Sequence, residues 1–374
     1  MPDTSAIAAV IDRARREVDE GLLPSCQVAI GYEGELLAFE ALGDATTDSR
    51  YVVFSCTKGF TAGAIWMLLA EGKLRLDQHV VEVIPEFGTN GKEVVTVEML
   101  LTHTGGFPTA PLRIAAGATS AGRIAAFERW RLNWEPGTRF EYHPTAGHWV
   151  LGELIERVSG VDAPTFIRQR ITEPLGLPAF TLGQPVDCKD PVQVLVATGD
   201  EPTSAELEAV LGVPGLTMSM LTGEASVEAL LELNRPEARA AGAPGAGGIA
   251  TAADLALYYQ GVHHNTNDLW DPAIKADAVT VHCTLPHPLF GVPANWSLGL
   301  QVAGDPPEAQ RRGFGHGSSP ATYGHDGAGG QIAWVDPESG LSFGYVTNGL
   351  DRNPIREGRR KIGLSSRVAA IAQK

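Results

Sequence analysis

A serine and a lysine three residues apart, in the run Phe54-Ser55-Cys56-Thr57-Lys58, have the types and spacing needed for nucleophilic acyl transfer. Residues three apart share a helix face, so the Ser55 hydroxyl and the Lys58 amine can meet where a helix begins. A lysine withdrawn from water favours its charged form less and can accept a proton near neutral pH. The pattern is short, and a capping serine followed by a surface lysine is the alternative interpretation.

The residues after Lys58 favour the chemical interpretation. The stretch from Gly59 to Gly72 is apolar nearly all round, which predicts a buried helix. A lysine at the start of a buried helix needs polar partners, because an unpaired buried charge is costly. Backbone N–H groups are unpaired at the first turn of a helix, so Ser55 stands where an oxyanion can be held.

Two later segments offer partners for this pair. Tyr142 precedes a predicted helix at residues 146–159, and its phenol could move a proton if a nearby ammonium lowered its pKa. The glycine-dense run 324–330 enters a predicted strand, where free N–H groups could complete an oxyanion hole with Ser55. A packing tyrosine and a flexible loop are the respective alternatives. A Ser/His/Asp triad with His325 and Asp326 is discounted, because adjacent side chains on an extended segment point to opposite faces.

The elements that must position these residues lie at the two ends of the chain. Strand-like runs at 27–32 and 35–42 are separated by a two-residue turn, and those at 331–335 and 341–347 by a turn of Asp, Pro and Gly type. Helices are predicted near 5–20, 146–159, after Thr251, and at 355–373. We therefore expect an α+β fold: an antiparallel sheet flanked by terminal helices, with a largely helical second lobe. The predicted lobes are residues 1–75 with 245–374, and residues 76–244, with the active site between them.

Composition excludes several classes of function. The chain has 374 residues and a formal charge of −15, which disfavours nucleic-acid and anionic-membrane partners. The four cysteines are scattered without a CxxC pair, so neither a metal site nor a redox dithiol is indicated, and no cofactor is expected. The N-terminal stretch is typical of an amphipathic helix, not of a signal peptide, so we expect a cytoplasmic protein. The expected partner is a small ester or acyl substrate, and the oligomeric state is left open.

These three motifs, in this order, resemble the serine β-lactamase and penicillin-binding-protein superfamily. The likeness is greatest to the class C β-lactamases and, within that branch, to the family VIII carboxylesterases. It extends over roughly residues 5 to 370 and includes further matching runs at 100–107, 135–142, 151–156, 247–254 and 296–300. The resemblance implies the expected fold, with the site between a sheet lobe and an all-helical lobe.

The resemblance implies a role for each matching residue. Ser55 is the acylated nucleophile, Lys58 takes its proton, and Tyr142 serves the leaving group and the deacylating water. The run His325-Asp326-Gly327 stands where the family has Lys-Thr-Gly, so the oxyanion donors are the N–H groups of Ser55 and Ala328.

Two departures bear on substrate. Pro144 replaces an asparagine that binds the amide of a β-lactam or peptide, and proline cannot make that bond. His325 replaces a lysine, so a fixed cation for a substrate carboxylate is missing at neutral pH. Both changes favour esters over β-lactams.

The sequence therefore predicts a serine hydrolase that cleaves carboxylic esters through an acyl-enzyme. An acyltransferase, an amide or weak β-lactam hydrolase, and an inactive ligand-binding protein on the same fold are the alternatives. The residues expected to contact substrate are His325, Asp326, Gly327, Phe107 and Trp296.

Overall fold

The computed structural model describes residues 4–223 and 225–372. Its strands, numbered in chain order, are β1 Ser25–Tyr32, β2 Glu35–Gly43, β3 Tyr51–Phe54, β4 Thr181–Leu182, β5 Val196–Thr198, β6 Gly248–Ala250, β7 Gln301–Val302, β8 Tyr323–Gly327, β9 Gln331–Val335, β10 Ser342–Thr347 and β11 Gly349–Asp351. Its α-helices are α1 Thr4–Asp19, α2 Thr57–Ala70, α3 Val97–Leu101, α4 Ile114–Gly117, α5 Ser120–Phe127, α6 Ala146–Ser159, α7 Ala163–Ile167, α8 Ser204–Leu211, α9 Met218–Thr222, α10 Val227–Leu231, α11 Pro236–Ala240, α12 Ala252–His264, α13 Pro272–Ala278, α14 Pro306–Arg311 and α15 Pro354–Ala369.

The main sheet is antiparallel and built from both chain ends, as predicted. Its strand order is β2-β1-β10-β9-β8-β7. The two predicted hairpins lie side by side, with Val28 opposite Tyr345 and Ala29 opposite Gly344. The α+β fold class is therefore confirmed.

Both faces of this sheet are covered by helices. Along β1, Val28 and Ile30 pack into a core with α1 and α15, whereas Ala29 between them packs into the core that contains α12. Successive side chains of a strand point to opposite faces, so a strand buried on both sides is apolar almost throughout. The central strands lie in a three-layer arrangement of helices, sheet and helix.

The predicted helices are present, with small shifts at their ends. The predicted helix at 146–159 is α6, which is capped at its C-terminus by Gly160 in the left-handed conformation. Helix α12 is capped at its N-terminus by Thr251, whose hydroxyl accepts from the Asp254 N–H. The last helix, α15, ends at Ala369, and the predicted end at 373 lies outside the described residues.

The segment between the two ends of the chain is mainly helical but also contributes strands. A three-stranded sheet has the order β3-β6-β4, and β5 pairs in parallel with β11. The chain ends and the middle segment thus share two small sheets, and the proposed lobe boundaries stay a prediction.

Among the described residues, no helix is long and apolar enough to cross a membrane. All four cysteines lie in the described part of the chain as free thiols.

Candidate active site

Ser55 lies in the turn between β3 and α2, at the base of a cleft. The residue before it, Phe54, has a φ of 45°, a left-handed conformation that is strained for a bulky side chain. The Thr57 hydroxyl donates to the Phe54 carbonyl at 2.5 Å and accepts from the Gly248 N–H at 2.8 Å. This turn is therefore fixed to β6, and it presents the Ser55 hydroxyl to the cleft.

Lys58 is fully buried and contacts three oxygen atoms. Its Nζ lies 3.0 Å from Ser55 Oγ, 2.8 Å from the Pro144 carbonyl oxygen and 2.7 Å from that of Gly245. Burial lowers the pKa of Lys58 to about 7, although the carboxylate of Asp326 opposes this shift. Near neutral pH a large share of these amines is therefore uncharged.

Tyr142 donates a hydrogen bond from its hydroxyl to Ser55 Oγ at 2.9 Å. Its ring lies beside the lysine, with Nζ 5.0 Å from the ring centroid. Burial raises the pKa of Tyr142 well above its usual range, and the bond to Ser55 only partly offsets this. The lowered pKa that was considered for Tyr142 is therefore not found, and the phenol keeps its proton.

The end of β8 lies against the turn that carries Ser55. The Cys56 thiol contacts the His325 carbonyl oxygen at 3.4 Å. A Cβ on Gly327 would come within 2.5 Å of the Val53 carbonyl oxygen, so only glycine permits this approach. Ala328 follows immediately and lines the cleft together with Ser55, which is consistent with paired oxyanion donors.

Two buried histidines pack against Tyr142. His103 packs on Tyr142 with ring centroids 4.7 Å apart, and His325 with centroids 6.0 Å apart. The imidazole of His103 accepts from the His143 N–H at 3.0 Å. Burial lowers the pKa of His325 to about 4, so this histidine is neutral at pH 7, as expected.

The cleft has a volume of about 840 Å³ and two contrasting walls. One wall is apolar and comes from α8, α9 and α10, with Leu211, Met218, Leu221, Val227 and Leu230. The other wall is polar and comes from β7, β8 and α15, with Gln301, Asp326, Glu357 and Lys361.

The structure brings together the predicted catalytic residues, but only some of the predicted substrate-contact residues line the cleft. Ser55, Tyr142, Asp326 and Ala328 line the cleft, whereas Lys58 lies beneath Ser55. Phe107 is a correction: it is fully buried, and its N–H donates to the His143 ring at 3.1 Å, behind the site.

Trp296 and His325 are further corrections, because their side chains are buried and do not line the cleft. Gly327 is buried between Asp326 and Ala328, which do line the cleft, so its contact with substrate stays a prediction. Trp296 packs against Tyr142 with ring centroids 5.7 Å apart, and so it supports the tyrosine instead of facing a substrate.

Sequence reasoning missed three groups. The carbonyls of Pro144 and Gly245 hold the lysine, and backbone acceptors leave no side-chain signal. Lys361 Nζ lies 2.8 Å from Asp326 Oδ2, so a cation is present beside the third motif after all, supplied by α15. The distance in sequence concealed it.

Among the described residues, no group of three or more His, Cys, Asp or Glu side chains is placed to hold a metal.

Known proteins share this architecture. The family described as Beta-lactamase matches residues 10–365. The esterase/beta-lactamase LipL of Mycobacterium tuberculosis is 29% identical over 328 residues, which are 82% of this chain and 70% of LipL.

Two solved structures extend the likeness over nearly the whole chain. A penicillin-binding-protein homolog from Caulobacter crescentus is 26% identical, with a TM-score of 0.77 over 99% of each chain. A family VIII carboxylesterase is 23% identical, with a TM-score of 0.75 over 98% of each chain, and shares the fold.

Proposed function

The chain belongs to the beta-lactamase family and is a hydrolase of that fold, and we propose that it cleaves carboxylic esters through an acyl-enzyme on Ser55. The observation that carries the proposal is the contact of one hydroxyl with two proton-handling groups. Ser55 Oγ lies 3.0 Å from Lys58 Nζ and 2.9 Å from the Tyr142 hydroxyl, at the base of an open cleft.

Hydrogen-bond geometry supports Lys58 as the base. An uncharged amine has two N–H bonds and one lone pair, and the carbonyls of Pro144 and Gly245 accept the two N–H bonds. The lone pair is then left for the Ser55 hydroxyl proton. As Ser55 Oγ attacks the ester carbonyl carbon, its proton passes to Lys58, and the N–H groups of Ser55 and Ala328 hold the oxyanion.

Tyr142 completes the two half-reactions. When the tetrahedral intermediate collapses, the phenol donates its proton to the departing alkoxide and regains one from the lysine ammonium. A water molecule then attacks the acyl-enzyme and gives a proton to the same pair. The acid leaves, and Ser55 is protonated again.

Three features favour esters over β-lactams. The carbonyl of Pro144 is occupied by Lys58, and proline has no side-chain amide to bind a lactam. His325 is neutral and buried, and the cation of Lys361 is engaged by Asp326. The apolar wall of α8, α9 and α10 suits an acyl chain.

The Ser55→Ala variant tests the nucleophile. We expect it to lose hydrolysis of p-nitrophenyl butyrate and to gain no mass from a fluorophosphonate, because no hydroxyl remains to be acylated. Ser339→Ala, in the turn between β9 and β10, is the control and should react like the wild type. Labelling of Ser55→Ala to the same extent as the wild type would show that Ser55 is not the nucleophile.

An assay with nitrocefin beside the esters distinguishes ester hydrolysis from β-lactam hydrolysis. This alternative matters because one relative is described as both an esterase and a beta-lactamase. We expect nitrocefin turnover far below ester turnover. Comparable rates would favour the weak β-lactam hydrolase instead.

A further inference from the structure

The polar wall of the cleft carries an excess of negative charge beside the oxyanion site. Lys361 Nζ lies 2.8 Å from Asp326 Oδ2 and 3.2 Å from Glu357 Oε1, so two carboxylates share one ammonium. Arg352 also reaches the cleft, but it lies 2.7 Å from Glu228. Arg311, on α14, stacks over Phe290 at 5.4 Å and is exposed, so solvent and salt screen its charge.

Asp326 is the member of this group that a substrate meets. About a third of its side chain, 31%, is exposed, and it lines the cleft. Lys361 holds Oδ2, and the Gln301 side-chain N–H donates to Oδ1 at 3.1 Å, so the carboxylate is fixed in place. A carboxylate has about four acceptor positions, which leaves capacity towards the cleft.

Asp326 is also close to the reacting carbonyl. It is separated from Ala328 by one residue, which is about 7 Å along an extended strand. A substrate whose carbonyl oxygen is held by the Ala328 N–H therefore extends a group two or three bonds away towards Asp326.

We propose that the carboxylate of Asp326, fixed by Lys361 and Gln301, selects substrates by charge, and this rests on the proposed esterase function. Esters with a cationic or hydroxyl group near the scissile carbonyl are favoured, since a cation is attracted to the Asp326 carboxylate and a hydroxyl donates to it. Esters with a carboxylate at that place are rejected by repulsion, because the ammonium of Lys361 is already shared by Asp326 and Glu357. The substrate class is thus an uncharged or cationic ester.

Two ester series test the selection in the wild-type protein, with acid release followed by pH-stat. One series comprises butyrates of choline, of its uncharged carbon isostere, and of a hydroxy acid of matched length. The other comprises methyl esters of a fatty acid, of an ω-trimethylammonio acid, and of a dicarboxylic half ester. In at least one series we expect kcat/KM of the anionic ester to be below that of the neutral one by on the order of tenfold.

Variants separate Asp326 from the overall charge of the protein. Asp326→Asn keeps the shape and removes one negative charge, so the anionic-to-neutral ratio of kcat/KM should rise by roughly tenfold. Lys361→Met should lower that ratio. Glu35→Gln removes the same charge from an exposed position on β2, at the opposite edge of the main sheet, and should leave the ratio unchanged.

A further readout needs no variant. Added NaCl should narrow the discrimination in the wild type, because salt screens charges that face solvent. Equal rates for neutral and anionic esters in both series would overturn the charge selection and leave the esterase function standing. A ratio that does not change in folded Asp326→Asn would overturn it as well. Failure to hydrolyse every neutral ester would instead remove the proposed function itself.

Discussion

The proposed chemistry depends on Lys58, because its surroundings provide hydrogen-bond acceptors but little negative charge to stabilise its ammonium form. Two of its three oxygen contacts are backbone carbonyls, and the third is the nucleophile. The Asp326 carboxylate raises the pKa of this amine, but burial lowers it more. The same contacts that satisfy an uncharged amine therefore direct its lone pair to Ser55.

This environment predicts the pH dependence of acylation. The pKa of Lys58 is lowered to about 7, so the uncharged form gains population as pH rises through that value. We expect kcat/KM for a neutral ester to increase with pH through about 7 and then to level off. A stopped-flow pH profile with p-nitrophenyl butyrate measures this, and a rate that is constant between pH 5 and pH 9 would contradict it.

A lysine that must lose its proton cannot be replaced by arginine, which stays charged. Lys58→Arg should therefore be inactive over the whole pH range while still placing a cation near Ser55. Lys92→Arg is the matched control, because Lys92 is also buried and held by backbone carbonyls but lies outside the cleft. Activity of folded Lys58→Arg at pH 7 would show that electrostatic attraction suffices.

The hydroxyl of Tyr142 is separable from its ring. Tyr142→Phe keeps the packing against His103 and Trp296 and removes only the donor to Ser55 Oγ. We expect kcat to fall by on the order of 10²–10⁴, the usual contribution of a positioned acid or base. Steady-state kinetics tests this, with Tyr32→Phe at the far hairpin as a control for a lost phenol. A fall below tenfold would assign proton delivery to another group.

At the scale of elements, the site depends on the close approach of β8 to the turn after β3. Gly327→Ala places a Cβ within 2.5 Å of the Val53 carbonyl oxygen and 2.9 Å of the Gln331 Cβ. Backbone atoms cannot yield cheaply, so we expect a loss of stability of about 1–3 kcal/mol and a displaced Ala328. Chemical denaturation and kcat together measure the effect.

Gly363→Ala is the matched control. Gly363 lies in α15, and the nearest atoms to an added Cβ are 3.6 Å away, which is ordinary contact. An alanine favours a helix interior over glycine by about 0.5–1 kcal/mol, so this variant should be at least as stable as the wild type and fully active. If Gly327→Ala and Gly363→Ala had the same stability and kcat, the close approach at Gly327 would not matter for function.

The elements were largely predictable from sequence, and the detailed contacts were not. The strand-like apolar runs and the turns between them predicted β1, β2, β9 and β10, because both signals are local in sequence. The helices α8, α9 and α10 were not predicted individually, because helices of five to eight residues are too short for a clear periodic pattern.

At the site, the motifs predicted Ser55, Lys58 and Tyr142. The structure places the Lys58 amine and the Tyr142 hydroxyl each within hydrogen-bond distance of Ser55 Oγ. Phe107 and Trp296 were misplaced because an aromatic residue near a motif can face either the cleft or the core, and only packing decides. Lys361 was missed because its partner Asp326 is 35 residues distant in sequence.

For the whole molecule, a buried ion network ties the two ends of the chain together. Arg360 of α15 is fully buried and lies 2.8 Å from Glu17 of α1 and 3.0 Å from Asp351 of β11. Asp351 also binds Arg356 at 2.6 Å. The network therefore fixes α1 and the strand next to the cleft to the helix that carries Lys361.

Removing the centre of this network should destabilise the entire fold. Arg360→Met leaves the carboxylates of Glu17 and Asp351 buried with fewer partners, and breaking a buried pair in this way costs about 3–5 kcal/mol. Arg352→Met removes a cation that is 31% exposed and pairs with Glu228, so it should cost about 0–1 kcal/mol. Urea unfolding of both variants compares their free energies of unfolding.

The double variant Glu17→Gln with Arg360→Met should recover part of the lost stability, because one unpaired buried charge is gone. If it recovers nothing, packing around Arg360, and not charge pairing, holds the ends of the chain together.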